Sequence, residues 1–180
     1  MANNNQTGLP WHIVEAQINK EIEWLKANIP TRGKMIADDI YNKHGLKCEH
    51  CDYYYRKIAL LIIQDKIKAR EIKAKGIKDL WDGLTIQSNT LKKEKHGGEW
   101  HRTMMGILEK YFTEQGYEVM LEPHLNHGRA DLGIFKNNEK TLYVEIDTVS
   151  IHKLWVNLQT MKDCKFLIVP SVDKVIEFEI

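Results

Sequence analysis

The stretch that decides the fold is residues 128–147, GRADLGIFKNNEKTLYVEID. Two apolar runs flank the turn pair Asn137-Asn138, which is typical of a β-hairpin. Asp131 and Glu145 stand where these otherwise apolar strands meet polar residues. Side chains that lie opposite each other on paired antiparallel strands are about 5 Å apart. The hairpin therefore predicts that the two carboxylates meet.

A third carboxylate joins this pair. Asp147 lies two residues after Glu145, and side chains two residues apart on a strand point to the same face. Carboxylates gathered at a strand end repel one another unless a divalent cation neutralises them, and Mg²⁺ with a water-rich coordination shell suits such a site. A metal-activated water is a nucleophile for phosphodiester hydrolysis. The acids therefore indicate a metal-dependent hydrolase.

The elements around the hairpin alternate between helix and strand. Apolar residues at helical spacing predict a helix of about 17 residues that begins at Glu99 and ends before Gly116, followed by a short strand. After the hairpin, a helix over residues 151–161 leads into the apolar run 166–170, which is typical of a buried parallel strand. This order predicts a helix, a β-hairpin, a second helix and a final strand around one mixed sheet.

Residues 97–172 resemble the PD-(D/E)XK nuclease superfamily, which has the restriction-endonuclease-like fold. The matching pieces are Glu99 on the leading helix, Gly-Arg-Ala-Asp before the hairpin and Val-Glu-Ile-Asp after its second strand. The resemblance implies that Asp131 and Glu145 bind Mg²⁺ or Mn²⁺. It also implies that Glu99 completes the site as a helix carboxylate.

The chain departs from that superfamily at one position. The residue two after the Glu is usually a Lys, which is thought to orient or activate the attacking water and to stabilise developing charge; here it is Asp147. Lys153 lies on the following helix, its long side chain could reach back, and migration of the Lys to a neighbouring element is known within the superfamily. The resulting catalytic set is Glu99, Asp131, Glu145, Asp147 and Lys153.

The N-terminal half has the pattern of a helical module. Apolar residues at three-to-four spacing predict a helix over 11–29, a short helix from Thr31 to Gly45 and a third helix that begins near Cys48. The stretch 67–77 alternates apolar with charged residues, as an exposed hairpin would. Six Lys or Arg against one Glu between positions 66 and 78 make this expected ribbon strongly basic.

This order of elements resembles a winged helix-turn-helix domain over about residues 11–82. In that family the third helix enters the major groove and the ribbon contacts the flanking DNA backbone. The ribbon would supply affinity through phosphates without carrying sequence information. The implied DNA-binding residues are His50, Tyr53, Tyr54, Arg56 and Lys57 on the helix, and Lys66, Lys68, Arg70, Lys73 and Lys75 on the ribbon.

A polar stretch closed by glycines separates the two halves. Residues 87–98, QSNTLKKEKHGG, show no apolar periodicity and have the composition of a linker. We therefore expect an α+β protein with a winged helix-turn-helix DNA-binding domain at 1–86 and a restriction-endonuclease-like α/β domain with a mixed sheet at 99–180.

Some cysteines and histidines leave alternatives open. A C-x-x-C motif preceded by a histidine places three possible metal donors within eight residues: His44, Cys48 and Cys51. Three interpretations of this motif stay open, namely a zinc site, a redox-active cysteine pair and a structural thiol. Three other histidines could act as a general base or contact phosphate, or could simply be solvated; these are His124, His127 and His152.

The overall charge and hydropathy bear on whether the protein binds nucleic acid or a membrane. The formal net charge is only +1, so any contact with nucleic acid must be local. The longest apolar run, Ile58–Ile63, is far shorter than the roughly 20 residues of a transmembrane helix. The polar start of the chain lacks the features of a targeting signal. We expect a cytoplasmic protein without a membrane partner.

Two hypotheses fit these patterns best. The first is a metal-dependent DNA endonuclease or resolvase-like enzyme that cuts double-stranded DNA. The second is a catalytically inactive DNA-binding regulator, or a plasmid or viral replication accessory protein, whose nuclease-like fold serves dimerisation; a protein-interaction module is a third possibility. Both DNA hypotheses predict a homodimer. Trp100, Tyr143 and Trp155 suit either its contact surface or the core.

Overall fold

A computed structural model of the chain describes residues 8–31, 49–85, 98–126 and 128–180. Within these ranges the helices are α1 (Trp11–Asn28), α2 (Glu49–Ile63), α3 (Lys75–Thr85), α4 (Glu99–Glu114) and α5 (Ile151–Thr160). The strands are β1 (Lys68–Lys73), β2 (Glu118–Leu121), β3 (His124–Leu125), β4 (Gly128–Arg129), β5 (Leu132–Phe135), β6 (Thr141–Ile146), β7 (Cys164–Ser171) and β8 (Lys174–Glu179).

Six of these strands form one mixed sheet in the order β1-β8-β7-β6-β5-β2. Strands β6 and β7 are parallel and are joined through α5, whereas the other neighbours in this sheet are antiparallel. The predicted hairpin is the β5–β6 pair, and β3 pairs with β4 as a separate small ribbon. The predicted α+β class with a mixed sheet is therefore confirmed.

Helices cover both faces of the sheet. Along β7, Phe166 and Ile168 belong to a core shared with α1, α2 and α5, while Leu167 and Val169 belong to a core shared with α3 and α4. Side chains on a strand alternate between the two faces, so a strand buried on both sides must be apolar at nearly every position. This explains the uninterrupted apolar run that predicted a buried parallel strand.

The basic stretch 67–77 does not form the predicted hairpin. Its first part is β1, which pairs antiparallel with β8 across more than a hundred residues of sequence, with Ile72 opposite Val175. Its last residues begin α3, where Ile77, Leu80 and Trp81 recur at helical spacing and pack against the core on that face. The alternation of apolar and charged residues that suggested a ribbon is instead explained by an edge strand of the main sheet. The predicted wing is therefore wrong.

The predicted boundary between two domains is not reflected in the packing. The expected linker, residues 87–98, lies outside the described ranges except for Gly98, and the expected second helix, residues 31–45, lies outside them except for Thr31. On either side of the linker, however, the described residues share the sheet through β1 and β8, and they share a core through α1, α2 and α5. The parts described here form one α/β/α arrangement. Among its helices, none is long and apolar enough to cross a membrane.

Candidate active site

The candidate site lies at the end of the sheet where β6 stops and β5 starts. The register pairs Leu132 with Val144, so Asp131 and Glu145 occupy the next position on the two strands. The backbone N–H of Asp131 donates a hydrogen bond to the carbonyl of Val144 at 2.9 Å, which continues the pairing beyond the strand. The two carboxylates are thus brought to the same edge of the sheet, as the hairpin predicted.

Asp131 is held by a backbone donor and by a histidine. Its Oδ2 accepts a hydrogen bond from the Ile146 N–H at 2.6 Å and lies 3.2 Å from Nε2 of His101. His101 is buried in the first turns of α4. Its pKa is raised, chiefly by the hydrogen bond to Asp131 and further by the charges of Asp131, Asp147 and Glu145, although burial acts in the opposite direction. The site therefore favours the imidazolium form of His101.

Glu145 is held by a lysine from the next helix. It is only 5% exposed, and its Oε1 lies 2.5 Å from Nζ of Lys153. The same ammonium group donates a hydrogen bond to the carbonyl of Arg129. Burial raises the pKa of Glu145 to about 7, with a smaller contribution from Asp131, and it outweighs Lys153 and His101, which lower that pKa. The carboxyl can therefore exchange a proton near neutral pH.

The position of Lys153 follows from the start of α5. Four residues, 147–150, separate this helix from the end of β6, and the side chain of Ser150 caps it by accepting a hydrogen bond from the Lys153 N–H at 3.4 Å. The short connection turns the first helical turn back over the end of β6. Lys153 Cε also approaches Gly128, where an added Cβ would meet it at 3.6 Å. The ammonium group is thereby directed between β4 and β6.

The helix residue that reaches the site is His101, and the predicted Glu99 is not brought to it. Glu99 lies on the exposed side of α4, whereas His101 shares the inner face of that helix with Met104, Leu108 and Phe112. The spacing 101–104–108–112 could have identified His101 in the sequence, because it continues the apolar stripe by one turn towards the N-terminus. A buried histidine on that stripe is the signal that was missed.

Asp147 is close to His101 but does not lie on a regular strand. Its φ of 70° is in the left-handed region, which non-glycine residues rarely adopt, and its backbone N–H donates to the Val169 carbonyl at 2.9 Å. Its side chain is half-buried, and its charge helps to raise the pKa of His101. Asp147 therefore adds negative charge beside the histidine.

The donor set suits a hard cation better than zinc. Within the described ranges, no group of three or more His, Cys, Asp or Glu side chains is arranged to hold a metal ion. Mg²⁺ is commonly held by one or two carboxylates and several waters, which Asp131 and Glu145 can supply. Structural zinc needs four ligands, usually thiolates and imidazoles. The carboxylate pair therefore fits Mg²⁺ or Mn²⁺, in competition with the cationic groups of His101 and Lys153.

Some of the predicted DNA-binding residues on α2 are exposed to solvent, whereas others contact neighbouring helices. Tyr53 is 52% exposed, with Nζ of Lys57 5.2 Å from the centre of its ring. Tyr54 instead packs edge-on against His152 of α5, with ring centres 4.9 Å apart. Arg56 donates two hydrogen bonds to Glu15 of α1, at 2.9 and 2.7 Å. Tyr54 and Arg56 thus join helices, and the side chain of His50 lies outside the described part.

The predicted basic contacts lie along an edge of the sheet rather than on a wing. Lys68 and Lys73 are exposed at the two ends of β1, and Lys66 and Lys75 flank that strand. Arg70 is engaged by Glu177 of β8, with its Nε 2.8 Å from Oε1. Exposed lysines on an edge strand discourage pairing with another sheet edge. Their position is consistent with that structural role and with a phosphate-binding role.

The remaining predicted positions are only partly described. His44, Cys48, His127 and the side chain of Cys51 lie outside the described part, so the zinc and redox alternatives stay as predictions. His124 and His152 are exposed. Trp100 is buried against Trp81, whereas Tyr143 and Trp155 are half-buried at the core formed with α1, α2 and α5. These three aromatic residues therefore contribute to packing.

Comparison with known proteins places the chain in a family without assigning it an activity. A family model described as a domain of unknown function, DUF8371, matches residues 69–162, just over half of the chain. The match begins in β1 and ends just after α5, so it contains His101, Asp131, Glu145 and Lys153. Neither the curated proteins nor the solved structures gave a significant match. The chain belongs to the DUF8371 family.

Proposed function

We propose that this protein is a metal-dependent nuclease that hydrolyses phosphodiester bonds in DNA. The observation that carries the proposal is the contact between Lys153 and Glu145, made beside Asp131 at the end of the hairpin. Two carboxylates and an ammonium group at one sheet edge are the groups that a PD-(D/E)XK site requires, and here the ammonium group comes from the helix after the second acid.

The acidic and the basic side chains of the site would have different roles in hydrolysis. Asp131 and Glu145 would hold Mg²⁺ or Mn²⁺, and the bound ion would lower the pKa of a coordinated water. Lys153 carries a positive charge on a backbone-anchored ammonium group, which suits it to stabilise negative charge that develops on a phosphate oxygen. Asp131 raises the pKa of His101, so this histidine would orient that carboxylate and, in its protonated form, would offer a proton at the same edge.

Surface chemistry near α2 and α5 supports nucleic acid as the substrate. Tyr53 and His152 present exposed rings, and Lys57 lies beside Tyr53. His152 is the residue immediately before Lys153, so this aromatic and basic surface adjoins the candidate site in the chain. Aromatic faces bind bases by stacking, and lysines bind phosphates.

A homodimer would present two such sites, and light scattering at micromolar concentration measures the subunit number.

A non-catalytic DNA-binding role is the second candidate. It is favoured by the pairing of both carboxylates with cationic side chains, Asp131 with His101 and Glu145 with Lys153. Such pairing neutralises the acids without a metal ion. In that case the nuclease-like edge would stabilise the fold, and DNA would be bound by the exposed lysines without being cut.

A cleavage assay separates the two candidates. Supercoiled plasmid is incubated with the wild-type protein in Mg²⁺, in Mn²⁺ and in EDTA, and nicked and linear products are measured on gels. We expect cleavage only with metal, and its loss by about a hundredfold or more in Glu145→Gln and Lys153→Met, as for removal of one charge-stabilising group. Exposed Glu118→Gln and Lys162→Met are matched controls with wild-type rates. Binding of DNA without cleavage in any metal would favour the second candidate.

A further inference from the structure

The small ribbon of β3 and β4 lies beside the candidate active site and has little internal stability. Each of its strands has two residues, with His124 paired to Arg129 and Leu125 paired to Gly128. A two-stranded ribbon, even a longer one, is only marginally stable in water by itself. Leu125 is 6% exposed and belongs to the apolar core that contains α5. The position of the ribbon therefore depends on its contacts with the rest of the protein.

Hydrogen bonds at two points hold the ribbon against one face of α5. At the turn, Nδ2 of Asn126 donates to Oδ1 of Asn157 at 2.6 Å and to Oγ1 of Thr160 at 3.2 Å. At the base, the carbonyl of Arg129 accepts a hydrogen bond from Nζ of Lys153. Lys153 and Asn157 are four residues apart and so share one face of the helix. The ribbon thus connects the amide of Asn157 to the ammonium group of Lys153.

The backbone at Asn126 suits this arrangement. Its φ of 51° lies in the left-handed region, which Asn adopts more readily than most other non-glycine residues. One residue therefore makes the tight turn between β3 and β4 and also supplies the amide that binds α5.

Asn157 is buried at a cost in free energy. It is 1% exposed, and among the described residues its Nδ2 has no hydrogen-bond partner, whereas its Oδ1 is bound by Asn126. An aliphatic side chain of similar size would avoid the cost of burying this amide group. Buried polar groups that do not serve stability are found at functional sites. Asn157 therefore has the features of a residue retained for the group that it binds.

We propose that Asn157 is a positioning residue for Lys153. By binding Asn126 it fixes the ribbon, and the Arg129 carbonyl of the ribbon then fixes the ammonium group beside Glu145. The consequence for catalysis rests on the proposed nuclease function, in which Lys153 stabilises charge on a phosphate oxygen. A displacement of about 1 Å in such a group can cost about a hundredfold in rate. The link between the ribbon and Lys153 does not itself depend on that function.

Cleavage kinetics test the effect on the proposed reaction. Asn157→Leu replaces the amide by an aliphatic group of similar size, and Asn126→Gly removes the other amide while keeping the left-handed conformation accessible. We expect each variant to lower kcat for plasmid cleavage by about tenfold and to leave KM for DNA unchanged. Gln159→Leu, an exposed amide on the same helix, is the matched control with the wild-type rate. Unchanged kcat in both folded variants would overturn the proposal.

The same substitutions in a Lys153→Met background separate positioning from a general structural effect. Once the ammonium group is absent, Asn157→Leu and Asn126→Gly should lower kcat no further, because they act through that group. A second loss of about tenfold in this background would contradict the assigned role.

Urea unfolding of the metal-free protein tests the link without any cleavage. Removal of either Asn126 or Lys153 releases the same ribbon, so the effects of Asn126→Gly and Lys153→Met on the unfolding equilibrium constant should be non-additive by at least about twofold. Additive effects would overturn the link even in a protein that cuts DNA. Non-additive effects in a protein that cuts no DNA would support the link and contradict only the proposed nuclease function.

Discussion

Nζ of Lys153 lies 2.5 Å from Oε1 of Glu145, although the two residues belong to different elements of the fold. Glu145 is at the end of a buried strand, and Lys153 is in the first turn of the helix that follows it. A carboxylate that is 5% exposed is costly to ionise without a cation nearby. This pair therefore links the stability of the sheet edge to the protonation of the candidate site.

Replacing Lys153 should destabilise the protein in a pH-dependent way. In Lys153→Met the buried Glu145 loses its cation, so its pKa should rise further above about 7. The free energy of unfolding should fall by about 1–3 kcal/mol at pH 8, where the carboxylate must be ionised, and by much less at pH 5. Urea unfolding at the two pH values measures the difference, with Lys162→Met as control. An equal loss at both values would contradict this explanation.

The stability of the metal-free protein should fall as pH rises through the range in which Glu145 titrates. Its pKa is 4.5 in the unfolded chain and about 7 in the folded protein, so between these values the folded state holds the proton that the unfolded state releases. The carboxyl therefore favours folding at low pH, by an amount on the order of 3 kcal/mol that is lost by pH 7 and above.

Glu145→Gln tests this linkage because it removes the titrating group and keeps the shape. The variant should lose less stability than the wild type between pH 4.5 and pH 7, as measured by urea unfolding in EDTA. His101 also has a raised pKa, so it favours folding at low pH and this contribution disappears at higher pH. The part of the pH dependence that comes from His101 should be present in both the wild type and Glu145→Gln. If the free energy of unfolding depended on pH identically in the two proteins, Glu145 would not titrate in this range.

Asp131 should control the protonation of His101. The hydrogen bond from His101 to Asp131 is the largest cause of its raised pKa, and burial opposes it. Asp131→Asn removes the negative charge, so the pKa of His101 should fall. NMR titration of the imidazole signals in the wild type and the variant measures this change. The signals of exposed His152 are the internal reference, and an unchanged His101 titration would contradict the assigned pairing.

The region 99–180 should not fold stably by itself. Without the preceding residues, β8 loses β1, and the face formed by Phe166, Ile168, Ile176 and Phe178 loses α1 and α2. Exposing such a face removes the apolar burial that stabilises the sheet. We expect circular dichroism of a fragment of residues 99–180 to show no cooperative unfolding transition, in contrast to the full chain. A cooperative transition in the fragment would support the two-domain division predicted from the sequence.

Much of the candidate site could be predicted because it is built from neighbouring elements. Asp131 and Glu145 reach the same edge of the sheet because one short turn sets the register of β5 and β6, and Lys153 follows because α5 starts soon after β6. Local periodicity also indicated α1, α4 and α5 and the buried strand β7. These features depend on contacts between residues close in sequence, where a pattern specifies both the element and its partner.

The misassigned features depend on partners that are distant in sequence. The alternation of β1 was visible, but a period of two does not say which strand will pair with it, and the partner is β8, with Arg70 opposite Glu177. His101 rather than Glu99 contacts the site because of the side of α4 that faces the sheet, and this side is set by tertiary packing.

By itself, the sequence determined the hairpin, its paired acids and the helix that carries Lys153, because short-range geometry leaves few alternatives. Only the tertiary structure decided that the basic stretch is an edge strand and that the two halves share one sheet. Such long-range pairing is selected by burial of the whole core, which no local pattern encodes.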